Sequence, residues 1–357
     1  MAKIFHDTLT VDKDDLLAVC EGILMHEGVP KADANYVAWH LVETNLRGTD
    51  SHGVARLPHY VRRLKEGSIL AQPTISFEQR APSLGLVDGG HGLGHLVMRR
   101  ATEEAARLAE TNGAGWVAVR NSSHCGALAP FGLQLAERGM IGIVFTHVDP
   151  MVLPYGSRAP FCGTNPICVS APGANDRTLC LDMATSVVPW NLVANAQQEK
   201  SEIPTGWAVD KNGNDTTHPD EVAALYPFGR HKGSGLGIMI DVFSAMLGEA
   251  PYGPDIPKMY GNMKEHRRLG GLVGAINIRP FVGVEDFEAR ISEMVSRLCG
   301  LPPMNGFDRV HFPGEPELET KRQREKEGIP IGINILEGLN ALAISAGLSP
   351  LQSRQTE

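Results

Sequence analysis

The chain has 357 residues, 42% of them hydrophobic and 21% charged, and a formal net charge of −8. This is the composition of an ordinary soluble globular protein, and the length exceeds what one core serves, so two or three subdomains are expected. The acidic balance argues against nucleic acid or an anionic membrane as partner, and no apolar run reaches the ~18–20 residues of a transmembrane helix.

Met1–Asp7 carries no signal-peptide pattern. Asp12 and the stripe Leu16, Leu17, Val19, Cys20 and Ile23 predict a first helix, and Ala34, Val37, Ala38 and Leu41 a second, from Lys31 toward Leu46. Pro58 suits the first turn of a third helix carrying Tyr60, Val61 and Leu64. From residue 83 strands and helices alternate: strand 83–88, helix 96–111, strand 115–119, helix 128–138 and strand 141–145. That alternation predicts an α/β region with both sheet faces covered. Two further strands, 166–170 and 178–181, flank the turn Pro172–Asp176, and Asn212-Gly213 marks a hairpin. A buried helix over 235–247, a strand over 272–278, an amphipathic helix over 284–298, a polar surface loop over 313–324 and a final helix over 335–346 complete the reading.

Six cysteines are present, none in a C-x-x-C spacing. Reduced thiols, and hence a cytoplasmic location, are the simplest account. Asp88-Gly89-Gly90-His91-Gly92-Leu93-Gly94 sits where a dinucleotide fingerprint would, but its spacing is G-x-G-x-G and no acidic residue ends the next strand. A turn needing positive φ is the plainer reading.

Five segments carry chemistry. Asp50-Ser51-His52-Gly53-Val54-Ala55-Arg56, continuing to Tyr60, places a hydroxyl, an imidazole, a guanidinium and a phenol within a few residues. Were it helical, His52, Arg56 and Tyr60 would share a face. Arginine grips a carboxylate through paired hydrogen bonds, and histidine moves protons near neutral pH. Ser123-His124-Cys125 follows a strand, where open sheets place their ligands. In Gly163-Thr164-Asn165-Pro166 the proline holds Asn165 extended, either to aim its amide at a ligand or to make a turn. Asp182 ends an apolar strand, as a cap for Thr185 or Ser186 or as the orienter of a histidine. Gly229–Gly235, with Arg230, His231 and Lys232, is an anion cradle or an ordinary loop ahead of a helix.

In this order these segments, with Leu181-Asp182-Met183-Ala184-Thr185 and Trp207–Gly213, resemble the malate/L-lactate dehydrogenase family of NAD(P)-dependent oxidoreductases from Leu16 to about Pro313. Val148–Val152 and Phe307–Gly314 look most like its ureidoglycolate dehydrogenase branch. The resemblance implies a non-Rossmann α/β fold: a mixed, largely antiparallel sheet flanked by helices, with a helical domain (1–80 with 310–357) beside a cofactor- and substrate-binding region (81–309) of two subdomains. It also implies a homodimer with a shared active site, and NAD as cofactor with NADP left open. It makes His124 the proton acceptor, with His52 and Asp182 also in the catalytic group. Ser51, Arg56 and Tyr60 bind substrate, and His124, Val148, Asn165, Asp182, Met183, Ala184 and Lys232 meet the cofactor. Cys125 and His147 depart from the family pattern.

The expected activity is hydride transfer between a nicotinamide cofactor and a small anionic 2-hydroxy acid, of malate, lactate or ureidoglycolate type, with reduction of a cyclic imino acid as the alternative. A metal hydrolase built on His52, His124 and Asp182 lacks an H-E-x-x-H or similar cluster, so no metal is expected. A non-catalytic binding module would leave the convergence of several polar motifs unexplained.

Overall fold

The computed structural model describes residues 8–353; Met1–Asp7, read above for a signal pattern, and residues 354–357 lie outside them. The elements in chain order are β1 (Thr8–Val11), α1 (Lys13–His26), α2 (Lys31–Leu46), α3 (Leu57–Lys65), β2 (Ser76–Ala81), β3 (Leu84–Asp88), α4 (Gly94–Asn112) and β4 (Ala114–Ser122). There follow α5 (Ala129–Glu137), β5 (Met140–Thr146), β6 (Ile167–Ala171), β7 (Leu179–Met183), α6 (Trp190–Glu199), β8 (Ala208–Val209) and β9 (Ala224–Leu225). The last are α7 (His231–Ala245), β10 (Leu269–Asn277), α8 (Val284–Cys299), α9 (Glu315–Glu327), β11 (Ile329–Gly332) and α10 (Ile333–Ser345).

One seven-stranded sheet, ordered β2-β3-β4-β10-β5-β6-β7, forms the centre. Only β3 and β4 pair in parallel, joined by the crossover helix α4; every other neighbour is antiparallel. The fold is thus the mixed, largely antiparallel α/β sheet that the resemblance implied. Side chains alternate across a strand, and β4 shows it. Val117 and Val119 join Val97, Ala101 and Leu108 of α4 and Phe131 and Leu135 of α5 in one core. Trp116 and Ala118 face the other side, against Leu236 and Ile240 of α7. Glycines let β10 fit between β4 and β5: a Cβ on Gly274 would lie 2.3 Å from the Trp116 ring.

A second core gathers α1, α2, α3 and α10 with the β1–β11 pair, so both ends of the described chain meet there. A third, smaller core holds Val152, Val193, Ile203 and Leu225 around α6 and the β8–β9 pair.

Three sequence expectations need correction. Residues 315–327, read as loop, form helix α9. They lack an apolar stripe, and their stability comes from polar ties made across space. Helix α7, read as buried, leaves Ile238, Met239, Val242 and Phe243, with Met246 just after it, between 37 and 47% exposed. Asn165 has φ of 20° rather than an extended conformation. The strands β1, β2 and β11 and helix α6 were not foreseen.

Candidate active site

Strands β4, β5 and β7 run in the same direction, and their carboxyl ends open on one edge of the sheet. There a cavity of about 540 Å³ is walled by the segments after these strands and by the turn between α2 and α3. The turn is not one continuous helix. It is two short 3₁₀ turns, Asp50–His52 and Val54–Arg56, broken at Gly53. Asn45 of α2 holds the break: its Oδ1 accepts from the Val54 N–H at 2.8 Å and its Nδ2 donates to Asp50 at 2.7 Å. A Cβ at Gly53 would fall 2.1 Å from that Oδ1. Arg324 of α9 closes the arrangement, donating to both Asp50 oxygens at 2.6 and 3.0 Å. Asp50 is therefore a structural anchor, and α9 supports the turn.

Ser51, His52, Arg56 and His124 all line the cavity. The Ser51 hydroxyl lies 2.8 Å from His52 Nδ1. The imidazoles of His52 and His124 stack with centroids 5.7 Å apart and planes inclined by 23°. Tyr60 lies behind His124, off the cavity wall and fully buried, its hydroxyl 2.6 Å from His124 Nδ1. The Gly126 N–H also points at Nδ1, at 3.4 Å. With Nδ1 engaged, Nε2 is the nitrogen left for a ligand. Tyr60, expected to bind substrate, meets the imidazole from behind rather than lining the cavity.

Arg56 Nε donates to the Ser51 carbonyl at 2.7 Å; its terminal nitrogens donate to the Asn191 side chain at 2.8 Å and to the Tyr260 hydroxyl. A guanidinium has five N–H groups, so each terminal nitrogen keeps one donor for a ligand. Neither Asn191 nor Tyr260 stood out in the sequence, because each is supplied from more than 130 residues away.

The electrostatics favour neutral imidazoles. Burial, with Arg56 and His40 nearby, pushes His52 down to about 3. Burial, then the neighbouring His52 and Arg56, holds His124 well below the usual histidine range. Behind Tyr60, His95 and His40 are fully buried, with ring nitrogens that have no partner among the described residues. Burial drives His40 to about 3 and His95 well below its ordinary value.

Val148, Asp182, Met183 and Ala184 share the cavity wall with His124. Asp182 orients no histidine. Its Oδ2 accepts from the Leu128 and Ala129 N–H groups at 3.0 and 2.7 Å, capping the start of α5. Although its surface is open to the cavity, the protein around it raises its carboxyl to about 6. Asn165 is fully buried off the wall, its amide donating to the Gly237 carbonyl at 2.9 Å and accepting from Val148 N–H at 3.4 Å; it braces the wall. Lys232 lies in the exposed first turn of α7, away from the cavity. His147 lines the cavity with both nitrogens engaged: Nδ1 is 3.2 Å from Asp241, and Nε2 accepts from Gly270 N–H at 2.8 Å. Cys125 is a buried thiol that burial pushes up to about 12.

The glycine loop at 89–94 packs on the end of β4, with positive φ at Gly90 and His91, and does not reach the cavity. The sequence analysis also passed over Arg47. It lines the cavity at 7% exposure, its Nε buried with no hydrogen-bond partner.

A family model described as malate/L-lactate dehydrogenase matches residues 11–340, and the chain belongs to that family. It is 37% identical over 354 residues to a malate dehydrogenase of Pyrococcus horikoshii, covering 96% of this chain and 97% of the other. It is 35% identical to the ureidoglycolate dehydrogenase (NAD(+)) of Escherichia coli O157:H7, over 93% of this chain and 95% of that one. Its fold matches the sulfolactate dehydrogenase of Methanocaldococcus jannaschii with a TM-score of 0.89 at 33% identity, covering 96% and 98%. A Delta(1)-pyrroline-2-carboxylate/Delta(1)-piperideine-2-carboxylate reductase of Pseudomonas putida is also related, 30% identical over 92% of this chain and 95% of its own length.

Proposed function

We propose that this protein transfers hydride between NAD and a small 2-hydroxy acid of the malate, lactate or ureidoglycolate type. The observation that carries the reading is the shared wall of one cavity: a guanidinium with two free donors, beside an imidazole whose rear nitrogen is held by a buried phenol. Arg56, with Ser51 beside it, receives the substrate carboxylate. His124 Nε2 takes the hydroxyl proton, and Tyr60 stabilises the charged ring at Nδ1. His52 packs against that ring and keeps a second basic nitrogen close. A nicotinamide held beside His124 would supply the hydride acceptor. The residues present suit such a cofactor: Val148, Met183 and Ala184 give a small apolar wall next to His124, and Arg47 offers an unpaired cation on the same cavity. Asp182 and Glu317 also line it, so an extra phosphate would meet like charge, which supports NAD over NADP.

The test is His124→Asn. Turnover falls about 10²- to 10⁴-fold while NADH still binds; near-normal turnover would remove His124 from the role. Kinship to the imino-acid reductase keeps a second reading, reduction of a cyclic imino acid gripped by the same arginine. Parallel assays with NADH against an α-keto acid and a cyclic imino acid separate the two.

The same reading takes the three cores as a helical part (1–80 with 310–357) and an α/β region (81–309) of two subdomains, with β2 crossing the boundary. It also takes the protein as a cytoplasmic homodimer. The six thiols are all free, and the exposed apolar face of α7 has the character of a subunit contact.

A further inference from the structure

Arg47 caps the end of α2 and lines the active-site cavity. It is 7% exposed, yet its side chain makes no hydrogen bond and no ion pair among the described residues, and its Nε is sealed from water. Other buried guanidiniums have partners: Arg267, though its Nε and one terminal nitrogen are unbonded, pairs with Asp149 through the other at 2.6 Å. Arg324 grips Asp50, and Arg63 is spent on Ser68 and on the carbonyls of Lys258, Met259 and Glu265. Three carboxylates share the cavity with Arg47, but none comes within ion-pair reach, and Asp149 is taken by Arg267. Asp182 is committed to the N–H groups of Leu128 and Ala129, and Glu317 reaches no partner there. A buried, unpaired charge is costly, and proteins keep one where a ligand supplies the counter-charge. Gly126 and Ala127 line the same cavity without bulk, which leaves it room for an anion of some size.

We propose that Arg47 is the anion-binding residue of a second subsite in this cavity, receiving the diphosphate of the nicotinamide dinucleotide. This rests on the dehydrogenase reading and adds to it a direction for the cofactor. His124 would meet the nicotinamide, and Arg47, at the end of α2, would hold the diphosphate. A guanidinium suits phosphate oxygens through its planar, paired donors. Arg56 then serves the substrate alone, and the two arginines divide the two anions.

The test measures binding, not turnover. NADH affinity is read by fluorescence titration on the unaltered chain, Arg47→Met and Arg47→Lys, with ADP, adenosine, inorganic pyrophosphate and succinate as competitors. The expected result is a 10- to 100-fold weaker NADH affinity in Arg47→Met, the size of one lost charge-assisted contact, with part of it kept in Arg47→Lys. ADP and pyrophosphate compete in the unaltered chain, and Arg47→Met erases the advantage of ADP over adenosine. If Arg47→Met does not fold, Arg47→Lys and the pyrophosphate competition still decide. Unchanged NADH affinity in a folded Arg47 variant, or competition by succinate but not pyrophosphate, overturns the proposal while leaving the dehydrogenase reading intact. Failure of the unaltered chain to bind NADH overturns both.

Discussion

At the scale of single residues, the site is arranged to keep its bases uncharged. A histidine whose native ionisation lies below its ordinary value is in its basic form throughout the neutral range. For His124 this gives a definite pH profile. In the oxidative direction, kcat/KM is flat through neutrality and falls only on the acid side, with its midpoint below 6.5. A midpoint above 7 would contradict the environment described. Tyr60→Phe removes the partner of Nδ1 without altering the cavity wall. Turnover should drop about 10-fold, the size of one hydrogen bond to a group that becomes charged, with little change in KM. The acid limb should move further down, because the protonated ring loses an acceptor. An effect on KM alone would return Tyr60 to the substrate-binding role. That Ser51, His52, Arg56 and His124 belong to one site was legible in the sequence, since residue type and neighbouring motif pointed to them, and they line one cavity. The roles of Tyr60, Asp182 and Asn165 were not. Each depends on what its side chain meets across 17 to 72 residues of sequence.

Among elements, α9 shows why a pattern can be absent and the helix still form. It is polar on every side, and its stability comes from ties to other elements. Lys321 meets both Glu43 oxygens at 2.8 Å, and Arg324 holds Asp50. That second tie fixes the turn carrying Ser51, His52 and Arg56. Removing one member of a mostly buried pair leaves an uncompensated charge. Arg324→Met should therefore lower stability by about 3 kcal/mol and raise the substrate KM more than it lowers kcat. Denaturant midpoints and steady-state kinetics check this. Unchanged kinetics in a destabilised variant would show that the turn keeps its shape without α9. The helices α1, α2, α4, α5 and α8 were readable because apolar spacing and turn residues mark them locally. Strands β1 and β11 were not, because each is four residues long and its partner lies at the far side of the sequence.

Across the whole molecule, burial of histidine sets acid tolerance. His40, His52 and His59 are driven to about 3, and His95 and His124 well below 6.5. Between pH 6.5 and about 4 the unfolded chain takes up protons at these positions and the native chain does not. Stability is therefore fully present above pH 6.5 and is lost as pH falls. Denaturant midpoints at pH 7, 5.5 and 4.5 should decline in that order; a flat series would mean these rings protonate in place. The apolar face of α7 predicts association. Met246→Glu, on a residue 47% exposed, should shift the sedimenting species toward monomer without unfolding the chain. A monomeric unaltered protein would leave that face without the proposed partner.

The sequence alone determined the alternation of strands and helices from residue 83, the position of the glycine turn, and the motifs that supply the hydroxyl, imidazole and guanidinium of the cavity wall. These are local properties, set by spacing, turn chemistry and side-chain identity. Only the tertiary structure decided that β10 enters between β4 and β5, that both ends of the chain share one core, and that Asn191, Tyr260 and Arg324 complete the site around Arg56. It also decided that Arg47 is buried without a partner. The physical reason is common to all four: contacts between distant segments follow from which apolar faces pack together, and no local spacing records that choice.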